Sequence, residues 1–428
     1  MKARAGTILV TVAAMTAMAA CGADTGPPTL TWYINPDDGG QDELAARCTE
    51  EAGGAYRITT SLLPREAPDQ REQLVRRLAA GDSGIDLMSL DPPFIPEFAE
   101  AGFLAEIPPD VAEAVTEDVV QGAIDGSTWR DELVAVPFWA NTQLLWYRRS
   151  VAEAAGLDPE NQPVTWEQLI EAAQSQETYL SVQGVRAEAL TVWINALVAS
   201  GGGQIIENPD APAEELRFGL ESDAGQQAAE IIGTIGREGL GGPGLSNQDE
   251  EASMRQFQGD DGSFMVNWPF VWAATNASVE AGDLDQELID DIGWAIYPAV
   301  AEGEEARPPY GGISLGIGAY TDYLDEAIEA AQCIVQPENQ AFYFVNDGNP
   351  PSHTQAYEDA EVQEAFPMAD VIRESLEQAE PRPQTAYYNE VSTGLQNTWH
   401  PPSGVQPDAT PQRATTLITE VLRGERLL

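Results

Sequence analysis

Short apolar segments alternate with amphipathic segments over residues 29–90, and this alternation is the feature that most limits the fold. Residues Thr29–Ile34, Arg57–Leu62 and Ile85–Leu90 are typical of strands, whereas 41–51 and 69–80 are typical of helices. Successive strands joined by a crossover helix run parallel in the same sheet. The sequence therefore predicts an α/β fold in which helices cover both faces of a parallel sheet.

The length and the later segments indicate a second unit. A chain of 428 residues exceeds the roughly 250–300 residues at which one core usually stops growing, so two lobes are expected. Thr165 and Gln168 have the spacing of a capping box, which marks a helix start. A further helix is expected over 223–237, and strands are expected over 263–267 and 292–296.

The N-terminal segment is typical of an export signal. Two basic residues precede an apolar run from Ile8 to Ala20, which is too short to span a bilayer. Met18-Ala19-Ala20-Cys21 resembles the lipobox of bacterial lipoproteins, in which the cysteine carries the lipid. We predict a signal peptide over 1–20 and lipidation of Cys21, with an ordinary secretory signal as the alternative. Both interpretations place the protein outside the cytoplasm.

The cysteine count supports an oxidising compartment. The sequence contains three cysteines, and an odd number is unusual in a secreted protein. If Cys21 carries the lipid, Cys48 and Cys333 remain as one pair. We predict a disulfide between them, with two free buried thiols as the alternative.

Composition excludes several kinds of active site. Lys2 is the only lysine and would leave with the signal peptide, so the mature chain could have neither a P-loop lysine nor a Schiff-base lysine. The only histidines, His353 and His400, do not form a metal-ligand pattern with cysteines or carboxylates. An enzyme would depend on carboxylates alone. We expect no metal and no cofactor, and composition leaves open only an enzyme that works with carboxylates.

The charge of the chain limits its partners. Seventy acidic residues face 21 basic ones, a formal net charge of −49. A field of this sign repels nucleic acid and anionic lipid headgroups, so contact with the membrane is expected only through the N-terminal lipid. The acidic residues are scattered along the chain. This scatter favours a surface kept hydrated in high salt, while a site for a cationic ligand stays open as the second interpretation.

Three segments together carry a resemblance to one family of binding proteins. Residues 85–104 begin with Ile-Asp-Leu-Met-Ser-Leu-Asp, residues 136–147 contain Phe-Trp-Ala-Asn-Thr-Gln, and residues 257–268 end at a tryptophan. The combination resembles the cluster-B solute-binding proteins of ABC sugar importers, the maltose-binding-protein type. The resemblance covers essentially the whole mature chain and implies a periplasmic-binding-protein-like fold. In that fold, crossing hinge segments join two α/β lobes that enclose a ligand cleft.

Within that family, the chain is most similar to the actinobacterial trehalose-binding lipoproteins. Residues 141–148 and 266–270 carry this similarity, and the pairing of Cys48 with Cys333 is similar too. The resemblance implies a lipid-anchored receptor that captures a disaccharide, with trehalose favoured. Such a receptor is not an enzyme and has no catalytic residues. The receptor would deliver the sugar to ABC permease subunits that are served by a separate ATPase. We expect the receptor to be a monomer.

The expected lobe boundaries lie at the hinge crossings. The first lobe would comprise 28–138 and 298–349, and the second 139–297 and 350–428, after a tether over 21–27. A ligand that touches both lobes would favour their closed arrangement.

A sugar site needs groups that hold hydroxyls and a flat ring that stacks on a pyranose. Chain position and the resemblance together predict eight ligand-binding residues: Asp38, Asp91, Asn141, Glu251, Trp268, Phe270, Gly312 and Arg382. Arg382 would donate to a sugar oxygen or to Glu251. Glu250 competes with Glu251 for the acidic position, and Trp193 is a second-choice aromatic that equally suits a core.

Most of these residues also have a purely structural interpretation. Asp38 could cap the following helix, Asp91 could sit in a turn before Pro92, and Trp268 could be core. Arg382 could form a structural ion pair, and Gly312 could serve only a turn that needs a positive φ.

Other functions stay open beside the trehalose receptor. A maltose or maltodextrin receptor would have the same fold. A secreted glycoside hydrolase that uses two carboxylates is the rival from a different class. A receptor of this fold for a cationic or peptide ligand is a further possibility.

Overall fold

The computed structural model describes residues 26–428. The predicted signal peptide over 1–20 and Cys21 lie outside these residues, so both stay predictions. Within 26–428, no helix is long and apolar enough to cross a membrane.

The strands of the described chain form two main sheets and one short hairpin. In chain order they are β1 Thr29–Ile34, β2 Arg57–Leu62, β3 Leu87–Leu90, β4 Thr128–Trp129, β5 Glu132–Leu133, β6 Val136–Thr142, β7 Leu144–Arg148, β8 Tyr179–Ser181, β9 Gly262–Asn267, β10 Ile292–Ala295 and β11 Tyr310–Ile317. The predicted strands are confirmed, and their ends differ from the prediction by two residues at most.

The helices lie on the faces of the sheets and form much of the second lobe. They are α1 Gly40–Glu51, α2 Ala67–Leu78, α3 Ile95–Glu100, α4 Pro109–Thr116, α5 Gln121–Gly126, α6 Arg149–Ala155, α7 Trp166–Gln176, α8 Glu188–Ser200, α9 Asp223–Arg237, α10 Glu250–Gln258, α11 Phe270–Glu280, α12 Gln286–Asp291, α13 Leu324–Ile334, α14 Pro337–Asp347, α15 Ala360–Ala365, α16 Ala369–Gln378, α17 Tyr388–Trp399 and α18 Thr410–Leu422. The predicted capping box is confirmed, because the Thr165 hydroxyl accepts from the Gln168 amide and the Gln168 side chain accepts from the Thr165 amide. Helix α9 has the predicted bounds.

The first sheet has the strand order β2-β1-β3-β11-β6. Strands β1, β2 and β3 are parallel as predicted, but β11 runs antiparallel to both β3 and β6. The sheet is therefore mixed, and the prediction of a parallel sheet is wrong at β11. The local alternation could not reveal β11, because this strand enters the sheet from more than 200 residues further along the chain.

Helices cover both faces of the first sheet, as the alternation predicted. Trp32 and Leu87 face one apolar cluster, which α1 and α13 complete. Tyr33 and Met88 face a second cluster on the opposite side, with Leu74 of α2. Neighbouring residues of a strand point to opposite faces, so both faces are buried.

The second sheet has the order β10-β7-β9-β8, with β7 antiparallel to β9 and β8 parallel to it. The chain changes sheet between Thr142, the end of β6, and Leu144, the start of β7. This crossing lies four residues beyond the expected boundary at 138/139, since β6 pairs with β11 along its whole length. The boundaries at 297/298 and 349/350 stay predictions.

Trp193 belongs to the core of the second lobe. It is 1% exposed, and its ring lies 6.0 Å from that of Trp166, which also contacts Tyr297. Trp193 does not line the cavity described below. Its structural interpretation is therefore the one that the packing supports.

Cys48 of α1 and Cys333 of α13 are bonded, with their sulfur atoms 2.05 Å apart. This agrees with the predicted pairing. The bond joins two helices on the same face of the first sheet. It links positions 285 residues apart in the sequence.

Candidate functional site

One cavity of about 600 Å³ lies between the two sheets and is lined by residues of both lobes. All eight residues predicted to bind ligand line this cavity: Asp38, Asp91, Asn141, Glu251, Trp268, Phe270, Gly312 and Arg382. Glu250 lines it as well. The fold therefore brings together residues that are up to 344 positions apart in the sequence. Their contact with a ligand stays a prediction.

Arg382 is the buried cation of the cavity, with its side chain 5% exposed. Its Nη2 and Nη1 atoms donate to the two carboxylate oxygens of Asp91, at 2.5 and 3.2 Å. Its Nη1 atom also donates to Oε1 of Glu188, at 2.7 Å. Of the two partners suggested for Arg382, a sugar oxygen or Glu251, Glu251 does not bond to it and lies beside Arg65 and Arg255 instead.

Sequence reasoning missed Glu188, although a signal was present. Glu188 is the one charged residue in the otherwise apolar or uncharged helix α8. Its carboxylate accepts from the hydroxyls of Tyr388 and Ser392 as well as from Arg382. A lone acid at the start of a buried helix indicates a buried partner, because an isolated carboxylate is costly to bury.

Burial raises the pKa of three cavity carboxyls, those of Asp91, Glu250 and Asp347. Burial raises the pKa of Asp91, and the Arg382 guanidinium acts in the opposite direction. Burial also raises the pKa of Glu250, with hydrogen bonding to the Trp268 side chain acting in the opposite direction. Glu251 is exposed and lies 3.5 to 3.7 Å from two arginines. Of the two competing acids, Glu250 is therefore the less exposed one: it is half-buried, whereas Glu251 is exposed.

Asp38 is free of the capping role that was its structural alternative. The neighbouring Asp37 accepts from the amide and side chain of Gln41 at the start of α1. The Asp38 amide donates to Asp347 at 2.7 Å, but its exposed carboxylate accepts no hydrogen bond within residues 26–428. The carboxylate of Asp38 is thus available to a ligand.

Two glycines of β11 shape the wall around Trp268. A Cβ atom on Gly311 would lie 2.9 Å from the six-membered ring of Trp268. Gly312 has a φ of +118°, and a Cβ atom there would lie 2.2 Å from the carbonyl oxygen of Trp139. Gly312 therefore meets both a conformational and a steric requirement, which explains its place in the wall without reference to a ligand.

We expect Gly312→Ala to lower the free energy of unfolding by about 3 kcal/mol or more, since it combines a strained φ with a backbone clash. Denaturant unfolding measures the change. Gly303→Ala is the matched control: Gly303 also has a positive φ, +85°, but has no atom within 4 Å of the added Cβ. The control should cost only about 1–2 kcal/mol. Equal losses in the two variants would contradict the steric part of this explanation.

Sequence reasoning also missed Trp139 and Asn35, which line the cavity. The indole N–H of Trp139 and the amide oxygen of Asn35 have no partner within residues 26–428. Asn141 lies two residues after Trp139 and uses its amide oxygen to accept from Thr142 at 2.9 Å. Both unpaired atoms are themselves buried, so the exposed carboxylate of Asp38 is the better placed partner for a ligand hydroxyl.

The described residues contain no group of three or more His, Cys, Asp or Glu side chains that could hold a metal ion.

Comparisons with known proteins agree with this geometry. The sequence profile of a family described as bacterial extracellular solute-binding protein matches residues 58–341. A probable ABC transporter-binding protein of Deinococcus radiodurans is 24% identical over 388 residues, which cover 85% of this chain and 86% of the relative. The sn-glycerol-3-phosphate-binding periplasmic protein UgpB of Yersinia pestis is 26% identical over 295 residues, or 64% of this chain and 62% of the relative.

Solved structures share the fold. Maltose-bound MalE3 of T. maritima has a TM-score of 0.76 at 23% identity, covering 92% of this chain and 99% of that chain. The periplasmic-binding-protein-like fold of two α/β lobes is therefore confirmed. Since the family profile spans most of the mature chain, this protein belongs to the bacterial extracellular solute-binding protein family.

Proposed function

We propose that this protein is the sugar-binding component of an ABC importer, anchored by a lipid on Cys21 at the outer face of the cell membrane. It captures a disaccharide, with trehalose favoured, and delivers it to the permease. The observation that carries the proposal is a cavity of about 600 Å³ that has walls from both lobes and is lined by all eight predicted residues. Pockets for small ligands typically measure about 300–1,000 Å³.

The lining groups suit a disaccharide. The unpaired carboxylate of Asp38 would accept two hydroxyls at once, and the half-buried ring of Trp268 would stack on a pyranose. Asp38 belongs to the first lobe, whereas Trp268 follows β9 of the second lobe. A ligand that touches both would favour the closed arrangement of the lobes.

Trehalose is favoured over other disaccharides on the similarity of residues 141–148 and 266–270 to trehalose-binding lipoproteins. A hydrolase is less well supported. It needs a carboxylic acid that can give a proton to the leaving sugar and a second carboxylate across the bond. Asp91 and Glu188 both bond to one guanidinium instead, and the relatives are named as binding proteins.

Calorimetric titration of the lipid-free mature protein with trehalose, and then with maltose, tests the proposal. We expect micromolar or tighter binding of trehalose, little binding of maltose, and recovery of the sugar unchanged. If maltose binds and trehalose does not, the protein is still a sugar receptor, but its ligands are α-glucans. Failure of both sugars to bind, or their hydrolysis, would contradict the proposal.

We expect Trp268→Ala to weaken sugar binding by about 10- to 100-fold, because the ring would bury apolar surface against the pyranose. The melting temperature should change little, since the ring is only half buried. Trp272→Ala is the matched control: Trp272 lies nearby on α11, is equally half buried and does not line the cavity. Wild-type affinity in Trp268→Ala, or an equal loss of affinity in Trp272→Ala, would remove Trp268 from the site.

A further inference from the structure

The charges that line the cavity are strongly unbalanced. Seven carboxylates face two guanidinium groups, those of Arg65 and Arg382. The side chain of Arg65 is 77% exposed and lies 3.7 Å from Glu251, so water screens it. Arg382 is therefore the only buried cation among the lining residues that could pair with an anionic ligand.

The positive charge of Arg382 is already compensated. Asp91 accepts hydrogen bonds from both Nη atoms of Arg382, and Glu188 accepts a further hydrogen bond from Nη1. One positive charge thus faces two negative charges, and the group as a whole is anionic. A phosphate would meet net repulsion here, which is little screened in a buried site.

Arg382 keeps one unpaired N–H donor. A guanidinium has five N–H donors, and the Nε–H of Arg382 has no partner within the described chain. This Nε–H is itself buried and does not open onto the cavity, whereas the hydroxyls of a neutral sugar carry no net charge and meet no such repulsion from the group. The group of Arg382, Asp91 and Glu188 therefore opposes the binding of an anion without opposing the binding of a neutral sugar.

Hydrogen bonds from two hydroxyls fix the side chain of Glu188, the second carboxylate that bonds to Arg382. The Tyr388 and Ser392 hydroxyls donate to it from helix α17. Burial raises the pKa of Tyr388 well above its ordinary value, so its hydroxyl stays protonated and continues to donate. Tyr388 also packs edge-to-face on Phe94 of the first lobe, with ring centroids 5.4 Å apart.

We propose that Glu188 is a specificity-determining residue: by sharing Arg382 with Asp91, it restricts the cavity to uncharged sugars and excludes their phosphate esters. The inference rests on the proposed function and names the substrate class that the site rejects. UgpB, a relative that is 26% identical over 295 residues, is named for a phosphate ester, sn-glycerol 3-phosphate.

The experiment compares two ligands. One is the neutral sugar that binds, trehalose or maltose, and the other is the phosphate ester of that sugar, trehalose 6-phosphate or maltose 1-phosphate. Both ligands are titrated into the full mature protein at constant ionic strength. We expect the wild type to bind the ester at least about 100-fold more weakly than the neutral sugar. In Glu188→Gln this ratio should narrow by about tenfold or more, because one compensating charge on Arg382 is lost.

Three further variants make the test specific. Glu188→Asp keeps the charge and should keep the discrimination. Asp91→Asn removes the other carboxylate and should relax the discrimination in the same way, which also serves if Glu188→Gln does not fold. Glu66→Gln removes an exposed carboxylate that does not line the cavity but whose charge raises the pKa of Glu250. It should narrow the ratio by no more than about twofold, because an exposed charge is screened.

The outcomes separate this inference from the proposed function. Equal binding of ester and sugar by the wild type would overturn the inference and leave the sugar receptor standing. An unchanged ratio in Glu188→Gln, or in Asp91→Asn if Glu188→Gln does not fold, would do the same. If Glu66→Gln narrows the ratio of the two affinities as much as Glu188→Gln does, the discrimination is a general effect of negative charge and not a property of Glu188. If no neutral sugar binds to the wild type, the proposed function fails and this inference fails with it.

Discussion

Replacing Arg382 with methionine is expected to lower the free energy of unfolding by about 3–5 kcal/mol and to abolish sugar binding. Methionine keeps much of the side-chain volume but removes the charge. Asp91 and Glu188 would then face each other in a buried site without a cation. Removal of one partner from a buried ion pair leaves an uncompensated charge, and this penalty exceeds the net contribution of the intact pair.

Denaturant unfolding and calorimetry together measure the two effects. The control is the triple variant Asp91→Asn, Glu188→Gln, Arg382→Met, which removes all three charges of the group. It should recover much of the lost stability, because no buried carboxylate is left unpaired, but it should not recover sugar binding. If Arg382→Met unfolds at wild-type denaturant concentration, or if the triple variant is the less stable of the two, the charge explanation is wrong.

Loss of the disulfide is expected to have an effect of similar size. The Cys48–Cys333 bond closes a loop across a sequence separation of 285. A crosslink over so long a loop restricts the unfolded chain strongly, so its removal should cost about 3–5 kcal/mol. Neither cysteine lines the cavity, and sugar affinity should therefore stay at the wild-type value in the folded protein.

The measurement compares thermal unfolding of the wild type and of the double variant Cys48→Ser, Cys333→Ser, each with and without reductant. Reductant should lower the melting temperature of the wild type toward that of the variant and leave the variant unchanged. A wild-type melting temperature that does not respond to reductant, with reduction verified by thiol titration, would contradict a stabilising role for the bond.

Local patterns in the sequence were enough for most secondary structure. The ends of β1, β2 and α9 agree with the prediction. Each segment is only six to fifteen residues long, and its apolar periodicity or capping residue lies within or next to it. Strand β11 was not predicted. Its place between β3 and β6 depends on pairing with strands that are remote in the chain, and no short-range signal encodes that choice.

The sequence predicted part of the cavity lining, but it missed Glu188, Trp139 and Asn35 and the contacts among the lining residues. The eight predicted residues line one cavity, because residues at strand ends and hinge crossings converge in a two-lobed α/β fold. The choice between Glu250 and Glu251 needed the direction of each side chain from α10. Adjacent residues of a helix point to different sides, so sequence position could not decide which acid is the less exposed.

The sequence by itself determined the α/β class, the two-lobed organisation, the cysteine pair and the residue types that a sugar site requires. Only the tertiary structure decided that Arg382 pairs with Asp91 and Glu188, that Asp37 takes the capping role at α1 and that Gly312 fits beneath the Trp139 carbonyl. The physical reason is the range of the interactions. Hydrophobic period and capping act between neighbours in the chain, whereas the compensation of a buried charge depends on which distant segments approach within about 3 Å.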